Sequence, residues 1–383
     1  MKLLNRKTFS LGWIIKSTGL LLLVLLWILP TIGLFVSSFR DKDQLAITGW
    51  WTALSTTENS EFRRTGTQEE QFERNGEYII SGELTELGGK KIKAYSTNFR
   101  KPNAHKAGDT VKFKDGSLFT LSENGNYEWT SEIPFKHERG KRIFYVASVP
   151  PTFSLENYLE VLTSEGLGQS FINTLKVTIP ATVIPIMIAS FAAYAFAWME
   201  FPGRRLLFIS VVGLLVVPLQ MSLIPLLSIY NEIGNYFGVV AKSYPGIWLA
   251  HTGFGLPLAI YLLRNYMGSL PREIIESARI DGASHFQIFS HLVVPLSVPA
   301  LASFCIFQFL WVWNDLLVAL VFLGKQDNQI VLTSKLRELL GSRGDNWEIL
   351  TSSAFISIII PLLVFFTLQR YFVRGLVTGS VKA

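Results

Sequence analysis

The sequence predicts an all-α polytopic membrane protein with six transmembrane helices, plus a β-rich external domain inserted between the first helix and the second. Three observations carry that expectation. Of 383 residues, 49% are hydrophobic and only 17% charged, whereas charged residues run near ~25% in soluble proteins. Six apolar runs are long enough to cross a ~30 Å hydrocarbon layer at ~1.5 Å per residue. Residues 37–173 hold 17 Lys and Arg and 19 Asp and Glu, too many charges to sit in lipid. The single cysteine, Cys305, excludes a disulfide framework and a Cys-based zinc site. The five histidines have no metal-ligand spacing, so no metal residues and no catalytic residues are assigned.

The first run, Trp13 to Phe39, is free of polar side chains from Leu20 to Leu29 and follows Lys2, Arg6 and Lys7. It ends in Ser37-Ser38-Phe39-Arg40 rather than a small-x-small cleavage site, so an uncleaved span is expected. Residues 1–44 then comprise the N-terminus and this span. Residues 45–150 read as the β-rich insert. Alternation runs through Gly76 to Leu84, and Val111-Lys112-Phe113-Lys114 and Ser117-Leu118-Phe119-Thr120-Leu121 flank Asp115-Gly116, a strong hairpin signal. A second turn, Glu123-Asn124-Gly125-Asn126, precedes Tyr127-Glu128-Trp129-Thr130.

Residues 151–383 hold the other five runs, roughly Thr174–Met199, Leu206–Leu227, Tyr244–Met267, Leu296–Leu323 and Ile349–Phe372. Six spans put both termini on one side. The N-terminus, the turn 200–205, the loop 264–291 and the C-terminal tail together carry 11 Lys and Arg, and the short loops 228–243 and 324–348 carry 5. The basic side faces the cytoplasm, so both termini are expected inside, and the long insert outside is exempt from the count. The net charge of +6 thus reflects topology and requires no nucleic acid.

The loop from Leu270 to Phe289 carries the function. Pro271 suits a helix start, Glu273 its first turn, Gly282 its stop, and Ser284 the start of a second helix. Ile274, Ala278 and Asp281 share a face at i, i+4, i+7, a mixed surface suited to another protein's groove or to lying on the membrane. The stretch reads Glu276-Ser277-Ala278, three residues (Arg279, Ile280, Asp281), Gly282, nine residues beginning with Ala283, then Leu292-Val293-Val294-Pro295.

That pattern resembles the E-A-A, three residues, G, nine residues, I-x-L-P signature of the inner-membrane permeases of ATP-binding-cassette (ABC) importers. Ser277, Leu292 and Val294 depart from it conservatively. Within those permeases the chain is similar to the maltose-type, MalG-like carbohydrate branch. The matching stretches are Ser154-Leu155-Glu156-Asn157-Tyr158, Phe171-Ile172-Asn173-Thr174, Ala278 to Ala283, Trp313-Asn314-Asp315 and Gln369 to Leu376. Its insert departs from the short first loop of that branch, and Asp115-Gly116-Ser117-Leu118 with Tyr127-Glu128-Trp129 resembles the insert of α-glucoside permeases.

The resemblance implies a multi-pass inner-membrane transport subunit for maltose- or α-glucoside-type sugars, working by alternating access. The coupling loop 270–295 would dock on a cytoplasmic ATPase through Glu276, Ser277, Ala278, Arg279, Ile280, Asp281, Gly282, Ala283 and Pro295. The tail 370–383 would add Gly375, Thr378, Gly379 and Lys382. Implied partners are two cytoplasmic ATP-binding subunits, a second homologous permease in a heterodimer, an external sugar-binding protein and the bilayer. The chain itself lacks a G-x-x-x-x-G-K-[ST] loop, since Gly89-Lys90, Gly140-Lys141 and Gly324-Lys325 have neither the upstream glycine nor the following Ser or Thr. ATP and magnesium therefore belong to the partner ATPases, and this chain is expected to be no enzyme and to bind no cofactor.

Inside the spans, Asp315 beside Asn314 is the one carboxylate, and it either lines a translocation path or pairs near the interface. Trp313, with Trp311 and Phe309, either stacks on sugar or packs against lipid. Lys16 and Lys176 snorkel from span ends. A secondary transporter would need several intramembrane carboxylates. A membrane-anchored receptor would leave the Glu276 to Pro295 pattern without a purpose.

Overall fold

The computed structural model describes residues 11–84, 90–342 and 346–380, with side chains as far as residue 371. It divides into two compact units, Met1–Ser154 and Leu155–Ala383. The first opens with helix α1 (Leu11–Ser38), apolar nearly throughout and scarcely buried. A short helix α2 (Lys42–Ile47) follows, started by the Asp41 carboxylate accepting from Asp43 N–H.

Among the described residues nine strands come next: β1 (Thr57–Arg64), β2 (Phe72–Arg74), β3 (Glu77–Glu83), β4 (Lys91–Ser96), β5 (His105–Lys106), β6 (Thr110–Lys112), β7 (Leu118–Leu121), β8 (Asn126–Ser131) and β9 (Arg142–Val149). They form two antiparallel sheets, ordered β1-β9-β4-β5 and β2-β3-β8-β7-β6. The Asp115-Gly116 turn joins β6 to β7 and the Asn124-Gly125 turn joins β7 to β8, both with glycine at positive φ. Alternation explains the core: Ile143, Tyr145 and Ala147 point inward from β9 and meet Ile80, Phe119, Leu121 and Trp129 from the other sheet. Trp129 also donates its Nε1–H to Ser117 Oγ at 2.9 Å, which satisfies the one polar atom of a fully buried ring.

The second unit is helical: α3 (Glu156–Thr163), α4 (Leu167–Trp198), α5 (Arg204–Gly213), α6 (Leu219–Phe237), α7 (Tyr244–Gly268), α8 (Arg272–Ile280), α9 (His285–Ile288), α10 (Val294–Leu296), α11 (Val298–Trp313), α12 (Leu317–Phe322), α13 (Leu332–Ser342) and α14 (Trp347–Ser380). Among the described residues, α1, α4, α7 and α14 are each long and apolar enough to cross a membrane as one helix. The third and fifth apolar runs are not straight helices. Arg204–Val216 meets Leu219–Phe237 at 108°, and His285–Leu296 meets Val298–Trp313 at 72°. Pro218 stands at the first break with extended backbone, and it has no N–H to continue a helix.

The run Leu296–Leu323 breaks again after Trp313. The Asp315 carboxylate accepts from Leu317 N–H at 3.0 Å and Val318 N–H at 3.2 Å, so α12 starts afresh there. Hydropathy reads these segments as continuous because it records apolarity and not chain direction.

Candidate functional site: the α8–α9 loop and the α7–α12 polar contact

Helix α8 carries Glu273 in its first turn and Arg279 in its last, both favourable to the helix dipole. It ends at Gly282, whose φ of +80° suits glycine. Gly282 N–H donates to Arg279 O and Ala283 N–H to Ala278 O, each at 3.0 Å, closing the helix end. Ser284 then opens α9 with a reciprocal cap: Gln287 N–H donates to Ser284 Oγ at 3.3 Å and Ser284 N–H to Gln287 Oε1 at 2.8 Å.

The loop is tied to the body on one side. Ile275, Ile288 and Phe289 are buried with Ala189, Ala193, Tyr194 and Met267. Arg279 donates to Trp198 O at 2.8 Å, at the end of α4, and His285 Nδ1 lies 3.0 Å from the Tyr194 hydroxyl. The other side is open: Ile280 is 85% exposed and Phe286 67%, with Glu276, Ser277, Asp281 and Gly282 around them. The face drawn through Ile274, Ala278 and Asp281 is therefore corrected. Ile274 and Asp281 are exposed, but Ala278 packs inward beside Ile275, because the inner stripe follows the i, i+3 spacing of that pair. Ala283 is half-buried and Pro295 exposed, in α10 just before the bend. The backbone of Gly375, Thr378 and Gly379 lies within α14, and Lys382 lies outside the described residues.

Trp313, Asn314 and Asp315 diverge. Trp313 is fully buried: it stacks on Phe309 at 5.6 Å, meets Phe171 edge-on, and donates Nε1–H to Ser357 O at 2.9 Å. Asn314 is exposed and donates back to Leu310 O at 2.8 Å. Asp315 is half-buried. Its Oδ2 lies 3.6 Å from His251 Nε2 on α7, and its carbonyl accepts from Thr333 Oγ1 at 2.9 Å.

The sequence reading missed His251, which is buried within an apolar helix; its signal was an intramembrane histidine. A cavity of about 10 Å³, room for about one water-sized sphere, borders His251, Thr174, Thr178 and Asp315. His251 Nδ1 and the hydroxyls of Thr178, Thr182 and Thr252 are buried without a partner among the described residues. Gln308 continues this seam, donating to Ala181 O at 3.1 Å, and Gly255 leaves it room, since a Cβ there would stand 2.7 Å from Gln308 Oε1. Polar groups thus converge between α4, α7 and α11, while no group of three or more acidic, histidine or cysteine residues among the described residues is placed to hold a metal.

The family model described as "Binding-protein-dependent transport system inner membrane component" matches residues 171–378. The chain is 61% identical to the alpha-glucoside transport system permease protein AglG of Rhizobium meliloti over 97% of both chains. It is 62% identical to the osmoprotective compounds uptake permease protein GgtD of Synechocystis sp. over 60% of this chain and 76% of that one. Among solved structures, a bacterial alginate ABC transporter bound to its pentasaccharide-loaded periplasmic protein is similar over 57% of this chain and 82% of that one, at 14% identity and a TM-score of 0.49. With four apolar helices of spanning length and two bent pairs among the described residues, the chain belongs to the family of inner-membrane components of binding-protein-dependent transport systems, and its part in them is transport and not catalysis.

Proposed function

We propose that this chain is one of two membrane subunits of an ATP-driven importer of α-glucosides, pairing with a second, homologous permease. It has six spans with both termini inside and the β-rich domain outside, counting each bent helix pair as one span. The substrate class rests on identity to the α-glucoside permease over nearly the whole chain. ATP and magnesium are held by two partner ATPases, and this chain binds no cofactor of its own. A sugar-binding protein delivers substrate from outside.

The observation that supports coupling most is the two-sided α8–α9 loop, apolar and anchored inward at Ile275 and exposed outward at Ile280 and Phe286. The exposed residues Glu276, Ser277, Ile280, Asp281 and Gly282 would seat in the ATPase cleft, backed by Ala278, Arg279 and Ala283 and followed by Pro295, with Gly375, Thr378, Gly379 and Lys382 as a second contact. When ATP closes the ATPase pair, force on α8 passes through Ile275 and the Arg279 to Trp198 bond into α4. Asn314 and Asp315 border the sugar path, and Trp313 fixes the helix that presents them.

The test is ATPase activity of the reconstituted complex with sugar-loaded binding protein, for wild type and Gly282→Pro. Proline removes the donor to Arg279 O and cannot adopt positive φ. The expected result is an assembled mutant that has lost stimulation by α-glucosides. Wild-type stimulation in the mutant would refute the coupling role. Transport that persists without the ATPase would reopen the secondary-transporter and receptor readings.

A further inference from the structure

The chain leaving α1 doubles back onto it. After α2 it makes a 3₁₀ turn at Trp50–Thr52, and the Trp50 ring comes down on α1 at Gly33. A Cβ on Gly33 would stand 2.8 Å from Trp50 Nε1, so only glycine leaves space for the ring. Gly33 lies about 13 Å from the midpoint of the helix at ~1.5 Å per residue. That depth is close to the edge of a ~30 Å hydrocarbon layer, where the amphipathic tryptophan ring concentrates.

The side chains that this hook turns outward are apolar: Ile47 is 55% exposed, Trp51 74% and Leu54 85%. The helix they lie beside is itself apolar and bare along most of its length, with Leu26, Trp27 and Ile32 also exposed. The charged residues Asp41, Lys42 and Asp43 are confined to the start of the hook. The hook is also held in shape. The buried Arg40 guanidinium donates to the carbonyls of Gln44, Thr48 and Gly49 and to Thr48 Oγ1. Gln44 Nε2 reaches across to Pro150 O at 2.9 Å and Thr152 Oγ1 at 3.1 Å, and Ser154 N–H donates to Phe39 O at 2.8 Å. The two chain crossings that lead into and out of the β-sandwich are thereby clasped together.

We propose that residues 41–54 form a lipid-seated collar, with Ile47, Trp51 and Leu54 immersed in the membrane interface at the end of α1. The contact of Trp50 with bare, apolar α1 and the depth it sets select lipid as the occupant. The collar holds the neck of the β-sandwich at a fixed height on the bilayer. This inference rests on α1 crossing the membrane.

The test is spin labelling of the full complex in lipid nanodiscs in a Cys305→Ser background, with single labels at Ile47→Cys, Trp51→Cys and Leu54→Cys. Leu26→Cys supplies the lipid reference and Ile133→Cys, exposed in the β-sandwich, the aqueous one. The expected ratio of oxygen to nickel-chelate accessibility at 47, 51 and 54 is several-fold above that at 133 and approaches that at 26. A ratio like that at 133 places the hook in water and overturns the proposal. Low access to both reagents means that a protein partner covers it, and also overturns it. An aqueous reading at 26 would instead refute the span beneath. Where a label prevents assembly, quenching of intrinsic fluorescence by brominated lipid is compared between wild type and Trp51→Phe; equal quenching overturns the proposal.

Discussion

His251 Nε2 of α7 lies 3.6 Å from Asp315 Oδ2, within ion-pair reach and just beyond hydrogen-bond distance, in the interior of the helical unit. The same carboxylate starts α12 by accepting two backbone N–H groups, so one side chain both restarts a helix and links it to α7. Asp315→Ala removes both functions, whereas Asp315→Asn keeps an acceptor oxygen for the helix. The alanine variant of the purified complex should therefore melt lower than the asparagine variant, by a margin equivalent to about 1 kcal/mol for the lost cap. Combined with His251→Ala, Asp315→Ala should cost less than the two singles together, because the second change finds its partner already gone. Additive shifts in melting temperature would show that the two side chains do not interact.

Ile275 and Ile280 lie on one short helix with opposite surroundings, one buried against α4 and α7 and one bare. Ile275→Ala should lower the stability of the complex by about 2–5 kcal/mol, through lost burial and the cavity left behind. Ile280→Ser should change the stability of the permease by less than about 0.5 kcal/mol, yet weaken capture of the ATPase in a pull-down from detergent. If the two substitutions have the reverse effects, α8 is oriented the other way round.

The α8–α9 loop was the most legible part because its chemistry is local. Pro271, Gly282 and Ser284 each act on the backbone within a few residues, and the structure puts a helix end, a positive φ and a reciprocal cap at those points. The hairpins at Asp115-Gly116 and Asn124-Gly125 were legible for the same reason. Two things were not. The bends near Pro218 and Ser297 depend on direction, to which an apolar run is indifferent. The contact of His251 with Asp315 joins α7 to α12 across the fold, and neither neighbourhood in sequence points to the other. The inward turn of Ala278 was misread because a single residue's step around a short helix decides which face it takes.

In the β-sandwich, two carboxylates set an acid limit. Burial pushes the Asp115 carboxyl up, but hydrogen bonds from Ser117 and the charge of Lys141, 3.6 Å away, bring it below its ordinary value. Glu61 behaves alike: burial raises it, and the hydrogen bonds from Lys90 and Tyr145 lower it further than that. A carboxyl whose folded pKa is depressed contributes stability above its unfolded pKa, near ~4, and that contribution is lost as pH falls through the folded value. Hydrogen exchange in β7, β8 and β9 of the intact complex should therefore quicken as pH falls below about 4, after correction for intrinsic rates. Asp115→Asn should flatten that dependence, and an unchanged slope would remove Asp115 from the account.

Asn173, fully buried near the start of α4, donates both Nδ2 hydrogens to the connector between α12 and α13: to Asp327 O at 2.8 Å and Ile330 O at 2.9 Å. Its neighbour Thr174 accepts from Leu332 N–H at 2.7 Å, so this pair of side chains clamps the connector to α4. Asparagine is needed because two carbonyls demand two donors. Asn173→Asp keeps the shape and replaces the donors with a carboxylate facing both carbonyls, each then unsatisfied at about 1–3 kcal/mol. The aspartate variant should consequently lose more stability than Asn173→Ala, and limited proteolysis should cut residues 324–331 faster in it than in wild type. Equal proteolysis in the two proteins would mean that the connector is held by Thr174 alone.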